Sequence, residues 1–236
     1  MNRTDPTAPP RIQRHVDASE VCCDPAWEEA YNRFETPEQE VQKFIRRFRR
    51  LGLVRRPRSI QCAELFCGRG GGLVALERLG FVNLTGIDLS ESLLSRYRGP
   101  AELHLADCRE LPLQSGQWDA VIVQGGLHHL PRLPEDLDPV LREANRVLRD
   151  DGRLYVVEPW RTPFLRFVHL VVEQPLIRRL YAKGDALATM TEHERETYEQ
   201  WLNQGPMILD RLRKHFLPEQ MRTNWGKLHF VGRPRR

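Results

Sequence analysis

The chain has no long apolar run, no paired-cysteine motif, no internal repeat and no marked excess of one charge. Its longest greasy stretch, Phe164 to Val172, is broken by Arg166 and His169 and falls far short of the roughly 18 apolar residues a membrane span requires. The N-terminus carries Pro6, Pro9 and Pro10 among polar residues, with no apolar segment behind its first charges, so no secretory signal is expected. The five cysteines, Cys22, Cys23, Cys62, Cys67 and Cys108, are odd in number and include no C-x-x-C pair. Neither a disulfide framework nor a metal site is indicated, and a reducing cytoplasm is the expected setting. With 36 basic and 32 acidic residues, the net charge of +4 is too balanced to define a nucleic-acid protein.

What is present suits a globular chain: 236 residues, 40% apolar and 29% charged, enough for one domain with embellishments. Residues 1–20 lack hydrophobic periodicity and read as a flexible leader. Residues 21–58 read as an N-terminal helical lid of two helices. In the first, Asp24 can cap, Pro25 takes the first helical position, and Trp27, Ala30, Tyr31 and Phe34 fall at i, i+3, i+4, i+7. In the second, Thr36-Pro37-Glu38-Gln39 is a capping box, and Val41, Phe44, Ile45, Phe48 and Leu51 form one stripe ending at Gly52. Seven arginines lie between Arg46 and Arg58; a solvated helix face accounts for those on the second helix, and an RNA or acidic-substrate contact is the alternative.

From Ser59 the pattern changes to short apolar strands alternating with helical segments, the mark of βαβ units. Seven strands are expected: Ser59 to Phe66, Val82 to Asp88, Ala101 to Leu105, Trp118 to Gln124, Arg153 to Glu158, and a closing pair near Pro218 to Trp225 and Lys227 to Val231. Helices are expected at Gly71 to Leu79, Glu91 to Arg98 and Glu135 to Leu148. The fold class is therefore α/β, a Rossmann-like, doubly wound, mostly parallel sheet, with a core over residues 59–158. Residues 159–205 break the alternation and read as a helical cap, begun by Thr162-Pro163, interrupted at Pro175 and restarted by a capping box, Thr191-x-x-Glu194. Residues 206–236 supply a last helix and the closing strand pair.

The informative segment is Glu64-Leu65-Phe66-Cys67-Gly68-Arg69-Gly70-Gly71-Gly72, where the first core strand opens into a helix. Glycines there let a ligand approach the backbone, and the turn aims free N–H groups and the positive helix end at a phosphate or a carboxylate. A dinucleotide fingerprint starting at Gly68 would need glycine or alanine at position 73, which is Leu73, so NAD is disfavoured.

An acidic residue followed by x-G-x-G-x-G fits Glu64, Gly68 and Gly70, with Phe66 where the first glycine belongs. This pattern resembles motif I of the class I S-adenosylmethionine (SAM) methyltransferases. The resemblance continues through Asp88 in Gly86-Ile87-Asp88-Leu89-Ser90, 24 residues after Glu64, and through Asp107-Cys108, Leu111-Pro112-Leu113 and Trp118-Asp119-Ala120-Val121-Ile122-Val123. It ends with Gly126-Leu127-His128-His129-Leu130 and Arg142-Glu143-x-x-Arg146-Val147-Leu148-x-x-x-Gly152, and covers about 100 residues, Ser59 to Glu158.

The resemblance implies SAM as cofactor. Glu64, Phe66, Gly68 and Gly70 would border its methionine end, Asp88 with Leu89 its ribose, Asp107 with the Cys108 N–H its adenine, and Gln124 the fourth strand's exit. The cofactor's two hydroxyls and amino group need such acceptors. Two departures stand out: Phe66 narrows the methionine side, and Arg69 replaces a common small hydroxyl residue. The Gly-rich segment is also similar to the opening motif of cytosine-C5 DNA methyltransferases, but no cysteine follows a proline here. Gln124-Gly125-Gly126 stands where amino-methylating nucleic-acid enzymes carry Asn-Pro-Pro-Tyr, so nucleic acid is not the expected substrate.

In-line methyl transfer gains about 7 to 11 kcal/mol from positioning, against roughly 3 to 5 from a general base, so a base is optional. His128 and His129 are the first candidates for that base, with packing or helix-start roles as the alternative; Glu158 is a candidate at the pocket wall. Tyr155 alternates into the core and His169 reads as a half-buried packing residue. The cap's stripe of Phe164, Phe167, Val168, Val171 and Val172, with Arg161, Arg166, Arg178 and Arg179 nearby, suits a small apolar acceptor with an anionic group. Rival readings are an RNA methyltransferase using the arginine run, an NAD-linked reductase, and a partner-binding protein with a degenerate SAM site.

Overall fold

A computed structural model of the chain describes residues 10–17, 25–172, 174 and 179–236. Asp24, Cys22, Cys23, Pro175 and Arg178, to which expectations were attached, lie outside the described residues.

Eight strands form one sheet: β1 (Ile12–Arg14), β2 (Gln61–Leu65), β3 (Asn83–Asp88), β4 (Glu102–Leu105), β5 (Trp118–Gln124), β6 (Leu148–Pro159), β7 (Phe216–Asn224) and β8 (Lys227–Pro234). Their order is β1-β4-β3-β2-β5-β6-β8-β7. All neighbours from β1 to β6 pair in parallel, whereas β8 runs antiparallel to β6 and β7 antiparallel to β8. The central strands are apolar on both faces, as parallel strands covered by helices must be: β5 buries Asp119 to Val123 in succession.

The strand count exceeds the seven expected by one, because Ile12–Arg14, within the stretch read as a flexible leader, pairs with the free edge of β4 at Leu103 to Leu105. Three residues are too few to show a period-two pattern, so only the edge that receives them makes them a strand. The His15 ring stacks on His104, with centroids 5.2 Å apart, and extends the same contact.

The helices are α1 (Pro25–Phe34), α2 (Pro37–Arg50), α3 (Gly71–Arg78), α4 (Glu91–Leu94), α5 (Leu137–Val147), α6 (Pro163–Val172), α7 (Ala182–His193), α8 (Arg195–Asn203) and α9 (Gly205–His215). The capping box of α2 forms, with Thr36 Oγ1 accepting from Gln39 N and Gln39 Oε1 from Thr36 N. Its stripe of Val41, Phe44, Ile45 and Phe48 packs with Leu73 and Leu76 of α3 on one face of the sheet, while Val140, Leu141, Ile208 and Leu212 of α5 and α9 cover the other.

Two local expectations are corrected. Helix α4 is a single turn that does not reach Arg98, because Tyr97 turns inward, 2% exposed, beneath Gly70. Thr191 does not begin a helix; it lies inside α7, with its hydroxyl bonded to Leu187 O. In the cap, Thr162 does start α6, its Oγ1 accepting from Leu165 N. Helix α8 is anchored by Trp201, fully buried, whose indole N–H donates to Pro159 O at 2.7 Å.

Strands β2 and β5 are neighbours whose crossovers leave in opposite directions, so a crevice opens beyond their carboxyl ends. The loops after β2, β3, β5 and β6 meet there. Among the described residues, no helix is long and apolar enough to cross a membrane.

Candidate active site

The turn from β2 into α3 runs through three left-handed residues, Phe66 (φ 56), Gly68 (φ 52) and Gly70 (φ 80). Glycine adopts that conformation freely, while a residue with a Cβ pays roughly 1 to 2 kcal/mol for it. Position 66 therefore calls for glycine on backbone grounds, and Phe66 is retained through packing: its ring lies on Gly126 so closely that a Cβ there would overlap it. Gly126→Ala is accordingly expected to destabilise the protein by about 1 to 3 kcal/mol through overpacking. Adding Phe66→Gly should recover most of that loss in denaturant unfolding; equal loss in both backgrounds would discard the contact as its cause.

The start of α3, expected to aim at an anion of the ligand, has two of the chain's own carboxylates close by. Glu64 lies against Gly72, where a Cβ would overlap it, and Glu40 of α2 against Gly71, where a Cβ would sit 2.8 Å away. Glu40 is partnered, accepting from Arg69 Nε at 2.9 Å and from the Tyr31 hydroxyl. Arg69 also bonds Asn32 at 2.7 Å and stacks over the Tyr31 ring, so the residue that departs from the family pattern ties the glycine loop to α1 and α2.

Glu64 is not so provided for. It is 3% exposed, its one side-chain contact is Gln124 Nε2 at 3.4 Å, and its Oε2 has no hydrogen-bond partner among the described residues. Burial, helped by the nearby carboxylates of Glu40 and Asp88, pushes its carboxyl up to about 8. The Gln124 Oε1 is buried and likewise lacks a partner among the described residues. Two buried acceptors of neighbouring side chains are thus without a partner among the described residues.

Asp88 ends β3 half-buried, with Oδ2 accepting from Gly68 N at 2.7 Å and Oδ1 from Ser90 N at 2.8 Å. It thereby fixes the glycine loop, and each oxygen keeps a lone pair. Leu89 beside it is half-buried. Asp107 is more occupied than its expected role suggests: Arg109 grips it through Nε and Nη2 at 2.9 and 2.7 Å and reaches on to Asp136 at 2.8 Å. Cys108, 3% exposed, packs its thiol in the core.

After β5 the chain turns through a short 3-10 segment, Leu127–His129. Glu158, expected at the pocket wall, is instead 0% exposed beneath this turn. One oxygen accepts from Gly126 N and Leu127 N at 2.8 and 2.9 Å, and the other meets His128 Nδ1 at 2.8 Å. It orients the turn and the ring and does not itself face the crevice. Burial and the neighbouring His129 hold His128 below the usual histidine range, Glu158 opposing.

His129, unlike His128, is exposed, and Glu194, Glu158 and Asp88 together keep it above that range. Its Nδ1 lies 3.1 Å from Glu194 Oε1. Glu194 stands at the α7–α8 junction, so the helical cap reaches into the site through a residue that the sequence presented as part of a capping box. Trp27 of α1 stacks on Tyr31 at 5.1 Å and meets His129 edge-on at 6.2 Å. Glu40, Glu194 and Tyr198, whose ring is 5.9 Å from that of His128, are site residues that sequence patterns did not mark.

The cap's apolar stripe does not line the crevice as expected. Phe164 and Phe167 are 44% and 64% exposed, and only Val172 is buried. Nor is every arginine of the basic run solvated: Arg47 turns inward, with charge neighbours Tyr31, Glu35 and Glu158. Lys227, paired with Pro159 at the end of β6, has burial, Arg47 and Lys43 to lower its ammonium to about 7. Arg47, Lys43 and Lys227 are thus close enough to act on one another's charge.

The fold is that of a Rossmann-like α/β protein with a crevice at its topological switch point. Residues 64–156 match the model of the methyltransferase domain family. The chain is 33% identical over 100 residues to 27-O-demethylrifamycin SV methyltransferase of Amycolatopsis mediterranei, covering 39% of this chain and 35% of that protein. It is 28% identical over 161 residues to demethylmenaquinone methyltransferase of Staphylococcus aureus, covering 63% of this chain and 61% of that one. The chain thus spans between about a third and three fifths of these relatives. In fold it is similar to the PH0226 protein of Pyrococcus horikoshii, with a TM-score of 0.67 at 18% identity, over 90% of this chain and 100% of that one.

Proposed function

We propose that the chain binds SAM and transfers its methyl group to a small, largely apolar acceptor bearing an anionic group. The observation that carries this reading is the set of acceptors around the glycine loop: Glu40, Glu64 and Asp88 converge there, and Glu64 Oε2 and Gln124 Oε1 have no partner among the described residues. A pyrophosphate would bring only further acceptors to that set, which with Leu73 opposes NAD, whereas an ammonium would donate to it and take the place of the Glu64 proton.

In this reading Glu64 and Gln124 hold the cofactor's ammonium, and the free lone pairs of Asp88 take its ribose hydroxyls, with Leu89 alongside. Asp107 and the Cys108 N–H border its adenine, which requires Asp107 to share its carboxylate with Arg109. The cofactor supplies an electrophilic methyl group on a sulfonium sulfur. His128 and His129 stand on the acceptor side, His128 fixed by Glu158, and Lys227 with Arg47 favours an acceptor anion. Residues 21–58 act as a lid, 159–205 as a cap and 59–158 as the cofactor core, completed by 206–236. The buried, unpaired thiols of Cys62, Cys67 and Cys108 are consistent with a reducing, cytoplasmic setting.

Calorimetric titration of the full chain tests this. SAM and its demethylated product should bind with similar heats of apolar and charged contact, and NADH should not bind. Binding of NADH, or of neither SAM nor its product, overturns the reading.

A further inference from the structure

His128, His129 and Glu194 place one ligand atom each within 4.8 Å of one another. The two oxygens of Glu194 are divided between the rings, Oε1 lying 3.1 Å from His129 Nδ1 and Oε2 3.9 Å from His128 Nε2. The ring centroids are 4.2 Å apart. Ligand atoms held tetrahedrally at about 2.0 to 2.1 Å from a zinc ion are about 3.4 Å apart, so the two Glu194–histidine separations bracket that value and the side chains need only draw together to reach it. We propose that these three residues form a binding site for a divalent cation of the zinc class, on the acceptor side of the methyl-transfer site.

Three further features fit a metal better than a plain hydrogen-bonded relay. First, His128 turns its Nδ1 to the buried Glu158, 2.8 Å away, whose other oxygen is pinned by two backbone amides. A carboxylate behind a histidine fixes the tautomer that leaves Nε2 with its lone pair outward, the arrangement found behind metal-bound imidazoles. Second, Glu158 stands 2.8 Å from His128, and Glu194 3.9 and 3.1 Å from His128 and His129, so two imidazoles face two carboxylates, and a dication offsets their charge. Arg47 and Lys227 are charge neighbours of Glu158 as well. Third, two nitrogens and one carboxylate are the donor set of open zinc sites, which keep a position for water or substrate.

The role of the site rests on the methyl-transfer reading, though its existence does not. A hydroxyl acceptor on the open position would give its proton to water. Its oxygen lone pair would then form the new O–C bond while the C–S pair stays on sulfur, releasing the methyl ether and the neutral thioether. The acceptor class that follows is an apolar phenol or enol with an anionic group.

The test is titration of the chelator-treated full chain with Zn2+ alone, followed by calorimetry and by metal analysis after gel filtration. One equivalent should bind. His129→Ala and Glu194→Gln should each weaken it by about 100-fold or more, and Glu158→Gln, which keeps acceptors for the two amides but donates to His128 Nδ1, by roughly 10- to 100-fold. His215→Ala, on a histidine paired with Asp138 elsewhere, should leave it unchanged. Circular dichroism and product binding report whether each variant is folded. Wild-type affinity no greater than that of folded His129→Ala overturns the proposal, whatever the cofactor result. One equivalent of zinc lost in the variants, with no binding of SAM or product, upholds the site and removes its assigned role.

Discussion

Glu64→Gln should bind the demethylated cofactor product about 10- to 150-fold more weakly than the wild type at pH 8, the worth of one charged hydrogen bond of roughly 1.5 to 3 kcal/mol. The pH dependence sharpens the test. Burial and two neighbouring carboxylates raise the Glu64 carboxyl to about 8, so near pH 7 it is protonated and an arriving ammonium must expel the proton. Wild-type affinity should therefore climb as pH rises to about 8, with protons released in buffers of differing ionisation enthalpy, while the glutamine variant shows neither.

Stability should move the opposite way. An unfolded glutamate loses its proton near 4.3 and the folded one near 8, so the folded state holds the extra proton between those values. Stability contributed by Glu64 is then complete below about 4 and lost as pH rises through 8. In the absence of cofactor, Glu64→Gln should melt above the wild type at pH 9 and level with it at pH 4. Equal product affinity across this range would take Glu64 out of the cofactor site.

Glu158→Ala should be the most destabilising single change in the site. It strips acceptors from Gly126 N, Leu127 N and His128 Nδ1 at once, in a place with no access to water. Breaking such a buried set costs about 3 to 5 kcal/mol. At roughly 2 to 4 °C for each kcal/mol in a chain of this size, the melting temperature should fall by about 10 °C. Glu158→Gln should fall much less, because its amide oxygen can accept both backbone N–H groups. A loss below about 2 °C in the alanine variant would mean that the turn after β5 is held by other contacts.

Much of the cofactor half of this protein was legible because it is built from local patterns. The strand-to-helix glycine loop, Asp88 ending β3 and Asp107 following β4 are each set by spacing along one βαβ unit, and the alternation of Ser59 to Glu158 fixed the sheet's class. Phe66 was legible as a departure, but its meaning was not. That it sits at φ 56 with its ring on Gly126 depends on a loop 60 residues away in the chain.

The acceptor half came from long-range contacts. Glu194 and His129 are 65 residues apart and meet only because Trp201 docks α8 on the end of β6. No spacing rule relates a cap residue to a strand's exit, so Glu194 looked like helix capping and a metal cluster went unseen in the cysteine count. Glu158 carried the signal of a strand-end carboxylate, yet whether it faced the crevice or the turn beneath depended on which side of β6 the 3-10 segment folded over. Sequence alone determined the doubly wound sheet and the candidate cofactor acceptors, since these follow from periodicity and glycine chemistry within short stretches. The tertiary structure alone decided that Glu40 and Glu64 lie close to the helix start, that the cap's stripe faces outward and that His128, His129 and Glu194 converge, because burial and charge are properties of neighbours the chain brings together only on folding.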